Sequence, residues 1–155
     1  TTQIPYICCC QGLMFQTNIG KQIGDASPAL AGLLTCVQSK KAVTINSISD
    51  SNIAKGTCKP WLCKTSTQTS CQHSCSPGSI SAHYGGSNVM QSESTTGFSC
   101  AADLSTADGD YASLEAEVRS CAPTFQQCER SAKKVNCTTG SPDHLHVSVS
   151  GCGAN

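Results

Sequence analysis

Charge is scarce in this sequence, and its two signs balance. Ten basic and ten acidic residues make up 13% of the chain, the formal net charge is zero, and no run of like charge occurs. Proteins that bind nucleic acid or an anionic membrane surface usually concentrate positive charge. The composition therefore predicts no nucleic-acid partner, and recognition has to rest on local chemistry.

Long hydrophobic runs and several common catalytic motifs are also missing. No stretch is long enough for a membrane-spanning helix, so we expect no membrane span. The sequence has no internal repeat, no glycine-rich phosphate loop and no Gly-x-Ser-x-Gly elbow, which removes the main indications of nucleotide binding and serine hydrolysis. A chain of 155 residues, 38% of them hydrophobic, is long enough for one domain with a real core.

Cysteine, by contrast, is abundant. Thirteen cysteines persist best as disulfides in an oxidising compartment, which predicts a secreted, disulfide-rich extracellular protein. The odd number leaves at least one thiol free, modified or bonded to another chain. Neighbouring cysteines rarely bridge each other, so Cys8, Cys9 and Cys10 are the expected place for it, and a homo-oligomer joined through this segment becomes a candidate assembly. A glycosylation sequon at Asn136 agrees with secretion.

The hydrophobic pattern predicts an α+β fold, with a cysteine-rich segment over residues 1–26 and a single domain over 27–155. The expected domain is a small, mostly antiparallel sheet with two or three packed helices. In chain order we expect a helix from Ser27, a strand over 42–48, a disulfide-bridged loop over 55–81, a strand over 101–104, a helix from Tyr111 that resumes over 124–135, and a last strand from His144.

Three short segments hold three of the four histidines and two of the ten carboxylates. They are Ser81-Ala-His83-Tyr-Gly, Gly97-Phe-Ser-Cys-Ala-Ala-Asp103-Leu and Asp143-His144-Leu-His146-Val. Alternation along the last strand directs both of its histidines to one face. An isolated His-x-His is also compatible with a polar sheet face exposed to solvent. Together the segments supply the three nitrogen or oxygen ligands of a catalytic zinc, which keeps a fourth position for water.

The same segments resemble the hedgehog-like D-alanyl-D-alanine peptidase superfamily. The resemblance lies in Ser-x-His-x-Gly, Gly-x-x-x-Ala-x-Asp and His-x-His-Val, and it covers about residues 27–150. It implies that His83, Asp103 and His146 bind zinc and that His144 contacts the substrate or transition state. It also implies hydrolysis of an amide bond by zinc-activated water.

The resemblance further implies a proton acceptor at Asp143, three residues before the last ligand. In a regular strand Asp143 and His146 face opposite sides of the sheet, so this role requires a twist or bulge at the start of the strand. The alternative is a turn residue that follows Pro142.

The cysteines allow a second kind of metal site. Four of them, in a loosely spaced cluster, could form a structural zinc site with four thiolates, although so many further cysteines favour disulfides: Cys58, Cys63, Cys71 and Cys75. His73 lies within this cluster, and we expect it to be a loop residue facing solvent rather than a ligand.

Two functions of different classes remain open from the sequence. The first is a secreted zinc metallopeptidase-like domain that acts on a short peptide or a cell-wall peptide. The second is a non-catalytic extracellular structural or binding protein that keeps the fold and assembles into oligomers or filaments. The arginine that the superfamily places after its first strand has no counterpart in the segment 47–51, which favours the second.

Overall fold

Two helices and eight strands build the part of the chain that the computed structural model describes, residues 14–15, 20–49, 59–88 and 97–150. The helices are α1 (Pro28–Lys40) and α2 (Tyr111–Ser120). The strands are β1 (Met14–Phe15), β2 (Thr44–Ser47), β3 (Cys75–Ser76), β4 (Ser79–Ile80), β5 (Ala101–Ser105), β6 (Phe125–Arg130), β7 (Lys133–Lys134) and β8 (His144–Ser148). Short 3-10 turns cover Gly20–Asp25, Pro60–Leu62, Ala82–Tyr84 and Gly86–Asn88.

Six of the strands form one sheet in the order β1-β2-β5-β8-β6-β7, and β3 and β4 form a separate hairpin. Among the strand pairs of the described residues, only β1 with β2 is parallel. The α+β class and the mostly antiparallel sheet predicted from the sequence are confirmed. Strand β1 belongs to the segment expected ahead of the domain, yet it forms an edge of the same sheet. The expectations for Cys8, Cys9 and Cys10 lie outside the described residues.

Helix α1 begins where its sequence predicts. The Ser27 hydroxyl accepts a hydrogen bond from the backbone N–H of Leu30 at 3.1 Å, and Pro28 occupies the first turn, where its missing N–H costs nothing. The apolar side chains recur at helical spacing and are buried: Leu30, Ala31, Leu33, Leu34 and Val37. Helix α2 is capped in the same way by Asp110, which accepts from Ser113 N–H at 3.0 Å.

The central sheet has one apolar and one polar face. On β5, Ala102 and Leu104 join the core with the two helices, and on β8 Leu145 and Val147 do the same. Side chains alternate along a strand, so Asp103 and the intervening residues of β8 face away from the helices. The helix-free face of the sheet is therefore the face on which the chemistry-bearing residues gather.

The predicted helical continuation over 124–135 is wrong. This segment forms β6, a turn and β7, and β6 pairs along its length with β8. The spacing of Phe125, Cys128 and Ala132 fits a helix, and the alternation of Phe125, Gln127 and Glu129 fits a strand. The local sequence therefore did not discriminate, and pairing with β8 decided. At the turn, Ser131 and Ala132 adopt φ values of 51° and 63°, which ends any helix there.

Disulfides add covalent links between the helices, strands and loops. Cys36–Cys121 ties α1 to the end of α2, Cys128–Cys137 ties β6 to the chain after β7, and Cys63–Cys75 closes the loop that leads into the β3–β4 hairpin. The predicted disulfide-rich domain and bridged loop are thus confirmed. No helix among the described residues is long and apolar enough to cross a membrane.

Candidate metal centre

A single row of side chains crosses four strands on the helix-free face. The strand registers pair Ser47 with Asp103, Asp103 with His146, and His146 with Gln127. Directly paired residues on one face of an antiparallel sheet have neighbouring side chains. Asp103 and His146, 43 positions apart in the sequence, are therefore brought together by β5–β8 pairing, and both are buried.

His83 is held against this row by a short 3-10 turn. The Ser81 hydroxyl caps the turn by accepting from the His83 N–H, and Cys100 N–H at the start of β5 donates to the Ala82 carbonyl. The His83 side chain is almost completely buried. Its Nδ1 lies 2.5 Å from the Ile48 carbonyl, which only accepts, so Nδ1 carries the proton. In the neutral ring, Nε2 therefore keeps the lone pair with which it could bind a metal.

His83 Nε2 is one of three potential ligand atoms that lie close together, and these three atoms form a triangle. His83 Nε2 lies 3.4 Å from Asp103 Oδ1 and 3.3 Å from His146 Nδ1, and the last two atoms are 3.2 Å apart. In a tetrahedral zinc site, bonds of about 2.0 to 2.1 Å place ligand atoms about 3.3 to 3.4 Å from each other. The residues therefore fit a small divalent metal in donor type and in spacing.

The electrostatics of Asp103 agree with a ligand role. Burial of the carboxyl opposes its ionisation, but the charges and hydrogen bonds of His83, His146 and His144 outweigh burial and hold the pKa of Asp103 well below its usual range. The side chain is thus a carboxylate despite being buried, which is the form that binds a metal.

His73 does not face solvent as the sequence led us to expect. It is half-buried, its ring stacks on His83 with centroids 3.7 Å apart and planes 4° apart, and its Nε2 lies 3.0 Å from the Ser47 hydroxyl. Burial, followed by the neighbouring His83, lowers the pKa of His73 to about 3. His73, His83 and Asp103 offer ligand atoms within 4.8 Å of one another, so this trio too could hold a metal.

His144 lies beside the triangle but is surrounded by carboxylates. Its Nδ1 donates to Asp143 Oδ1 at 2.5 Å, its Nε2 donates to Glu129 Oε1 at 3.0 Å, and Asp103 Oδ1 is 3.7 Å from Nε2. Burial lowers the pKa of His144, but these carboxylates raise it by more, so the net shift is upward. A carboxylate within hydrogen-bond distance of each nitrogen favours the protonated ring, in which both N–H groups are engaged.

Asp143 comes directly before β8 and lies at the rim. Its side chain is 54% exposed, and Oδ2 accepts from the Ser131 N–H at 3.0 Å, so it also ties the β6–β7 turn to β8. The twist required to turn this carboxylate toward the metal ligands is not seen. Asp143 contacts His144 and holds a turn, and its role as proton acceptor stays a prediction.

Glu129 is the site residue that sequence reasoning missed. It lies opposite His144 in the β6–β8 register, and Gln127 donates to its second oxygen at 2.9 Å. Only the alternation of Phe125, Gln127 and Glu129 could have indicated a strand with its polar face toward the site. Because a helix was predicted over 124–135, this alternation was not interpreted as a strand.

These side chains line a cavity of about 1060 Å³. The sheet row and Glu129 form one side, and the loop and hairpin from Gln72 to Ser81 form the other. A volume of this size is at the upper end for small-molecule sites. The walls combine the titratable groups of the site with uncharged polar side chains, as in Ser74, Ser79 and Ser81, and with apolar ones, as in Ile80 and Phe125.

The four-thiolate zinc site is wrong for the described cysteines. Cys63 and Cys75 bond to each other, and Cys71 is also disulfide-bonded, so none of the three is available as a thiolate. The same holds for every cysteine in the described part of the chain, which leaves an unpaired thiol to be sought outside it.

No family model, curated protein or solved structure matches this chain.

Proposed function

We propose that this protein is a zinc-dependent hydrolase of the hedgehog-like D-alanyl-D-alanine peptidase type, which cleaves an amide bond in a peptide bound in the cavity. His83 Nε2, Asp103 Oδ1 and His146 Nδ1 would hold the metal. The observation that carries the proposal is the triangle of 3.2 to 3.4 Å between these three atoms. Three nitrogen and oxygen ligands with one open position are typical of catalytic rather than structural zinc.

The stacked rings argue for His146 rather than His73 as the third ligand. An imidazole nitrogen binds a metal along its lone pair, which lies in the plane of the ring. Because the His73 and His83 planes are parallel and a full stacking distance apart, a metal in the plane of His83 lies outside the plane of His73. The His146 ring is inclined by 60° to His83, so the two planes intersect and can share one ion.

A zinc ion in this position would supply a Lewis acid that activates water and polarises the amide carbonyl. The protein's own contribution is orientation. The Ile48 carbonyl fixes the tautomer of His83, as partners of metal-binding histidines commonly do. The cationic His144 places a positive charge 3.7 Å from Asp103, where negative charge would develop on a substrate carbonyl.

Glu129 is better placed than Asp143 to accept the proton. Its carboxylate lines the cavity, and the N–H groups of Gln127 and His144 orient its two oxygens without using all of their lone pairs. In the reaction a C–O bond forms and the C–N bond breaks. One proton of the attacking water moves to Glu129 and from there to the nitrogen of the leaving amine.

The substrate class is a peptide, such as a short peptide or a cell-wall cross-link, and the setting is extracellular. The size of the cavity and the polar side chains in its walls support an extended ligand, and the disulfides support an oxidising compartment. The sequon residue Asn136 is exposed, which is compatible with a glycoprotein.

Metal analysis and calorimetry of the native protein test the proposal. We expect one zinc per chain, and we expect replacement of His83 or His146 by alanine to weaken zinc binding by at least about 100-fold. Peptidoglycan stem peptides with amide cross-links are the first substrates to assay. A protein that binds no zinc would contradict the metal centre. A protein that binds zinc without cleaving any peptide would favour the second function.

That second function is a non-catalytic extracellular structural or binding protein with the same fold. Two observations favour it. His73 is close enough to His83 and Asp103 to enclose a metal if its ring turned. The cavity also contains no arginine among the described residues that line it, so a substrate carboxylate lacks the partner that the superfamily provides. Non-reducing electrophoresis would show whether such a protein forms covalent oligomers.

A further inference from the structure

We infer that His73 is a positioning residue of the metal centre, which holds the His83 ring in the plane required for metal binding. This inference rests on the proposed metal site but assigns a role that neither the motif pattern nor the resemblance gives to His73. The ring would act through His83 and would not itself bind the metal. His73 contacts His83, Ser47 and Tyr84.

The His73 ring is fixed on three sides. Its face lies on His83, its Nε2 is 3.0 Å from the Ser47 hydroxyl, and its edge meets the Tyr84 ring with centroids 5.8 Å apart. The Tyr84 hydroxyl also accepts from the His73 backbone N–H at 3.2 Å. Tyr84 is fully buried and Ser47 nearly so, so the anchors themselves are rigid.

The anchors Ser47 and Tyr84 also connect His73 to the proposed metal ligands. Ser47 is the cross-strand partner of Asp103, and Tyr84 follows His83 in the same 3-10 turn. The loop that carries His73 is closed by Cys63–Cys75. A disulfide and two buried partners therefore fix the distance between the His73 ring and the sheet. Because the His83 ring stacks on His73, its position is fixed as well.

A clamp of this kind matters because the contacts of His83 Nε2 are the ones that a metal would replace, which leaves one hydrogen bond, at Nδ1, to orient the ring. The bond from Nδ1 to the Ile48 carbonyl fixes the tautomer, but a single hydrogen bond tolerates some rotation of the ring about the Cβ–Cγ bond. Rotation moves Nε2 out of the triangle with Asp103 and His146. A flat ring at 3.7 Å blocks that rotation, so the free protein already has the geometry of the bound state.

Zinc affinity of four purified proteins tests the inference, with isothermal titration of zinc into metal-stripped protein as the readout. Relative to the unsubstituted protein, His73→Ala should weaken zinc binding by about 10-fold to 100-fold, the usual cost of losing a supporting partner. His73→Phe keeps a flat ring at the same place and should stay within about threefold. His146→Phe is the matched ligand deletion and should nearly abolish binding.

Two measurements keep the test decisive if His73→Ala folds poorly. Cobalt(II) substituted into the His73→Phe protein should give the same visible spectrum as the unsubstituted protein, because the ligands are unchanged. In metal-free protein, the proton resonance of His83 Nδ1 should be as sharp in His73→Phe as in the unsubstituted protein. The second readout needs neither metal nor substrate.

Each contrary result has its own meaning. If His73→Phe loses as much affinity as His146→Phe, or changes the cobalt spectrum, His73 is a ligand and the inference is overturned. If His73→Ala binds zinc as well as the unsubstituted protein, the clamp has no effect and the inference is also overturned. If the unsubstituted protein binds no zinc at all, the proposed function itself fails, which is a distinguishable outcome.

Discussion

At the scale of single residues, His144 shows how a side chain's partners limit its role. Both of its nitrogens donate to carboxylates, one to Asp143 and one to Glu129. A doubly engaged imidazolium has no free N–H to give a substrate and no lone pair to accept a proton. Under the proposed function, its remaining contributions would be positive charge and orientation of Glu129, and proton transfer would fall to a carboxylate.

The two carboxylates on His144 make a matched pair for testing proton transfer. Glu129→Gln removes the proposed proton acceptor while keeping an oxygen for His144, so kcat on a stem peptide should fall by about 100-fold or more. Asp143→Asn makes the same chemical change at the rim, and we expect less than a tenfold effect. Zinc affinity, measured in parallel, should be nearly unchanged in both variants. A larger loss for Asp143→Asn would return the role to that residue.

At the scale of elements, the turn between β6 and β7 contains avoidable strain. Ser131 and Ala132 connect paired residues Arg130 and Lys133 with positive φ values, a two-residue hairpin turn normally occupied by asparagine and glycine. An L residue other than glycine, asparagine or aspartate pays a steric cost in this region. The turn is retained because Asp143 accepts from the Ser131 N–H and Cys128–Cys137 closes the chain just beyond it.

Ala132→Gly should therefore stabilise the protein by about 1 kcal/mol, since glycine adopts φ of 63° without the steric cost. Urea unfolding at neutral pH measures the change. Gly109→Ala is the control in the opposite direction, because Gly109 has φ of 70° and open space around its Cα. That variant should be less stable by about 1 kcal/mol. Equal stability of both variants with the parent protein would show that the turn relaxes freely.

At the scale of the whole molecule, the disulfides that restrict the unfolded chain differ widely in the number of residues that they enclose. Cys36–Cys121 links residues 85 positions apart, whereas Cys128–Cys137 links residues 9 apart. The long bridge joins the two helices that cover the apolar face of the sheet. The short bridge links β6 to the chain that follows β7.

Removing the long bridge should cost more than removing the short one. Chain entropy predicts a loss of about 4 to 5 kcal/mol for Cys36→Ala with Cys121→Ala, and about 3 kcal/mol for Cys128→Ala with Cys137→Ala. Urea unfolding of the two double variants, without reductant, gives the comparison. Since the helices lie on the face opposite to the metal centre, residual folded protein of the first variant should still bind zinc. A reversed order of stabilities would show that strain or contacts in the unfolded chain dominate over loop entropy.

Much of the architecture and part of the site could be predicted from the sequence. The cap at Ser27 and the spacing of the leucines after it determine α1, and the His-Leu-His-Val alternation determines β8 and its two faces. Cysteine content determines that disulfides replace part of the core. His83, Asp103, His144 and His146 could be selected because three of them are among only four histidines and because their segments resemble a known family of zinc peptidases.

Tertiary structure alone decided the rest. The segment over 124–135 became a strand through pairing with β8, because its own pattern suited two structures equally. Glu129 reached His144 through that pairing, and His73 reached His83 through a loop closed by Cys63–Cys75. Such contacts join residues far apart in the chain, so no local preference encodes them. They arise only when register and disulfide closure fix the distances between elements.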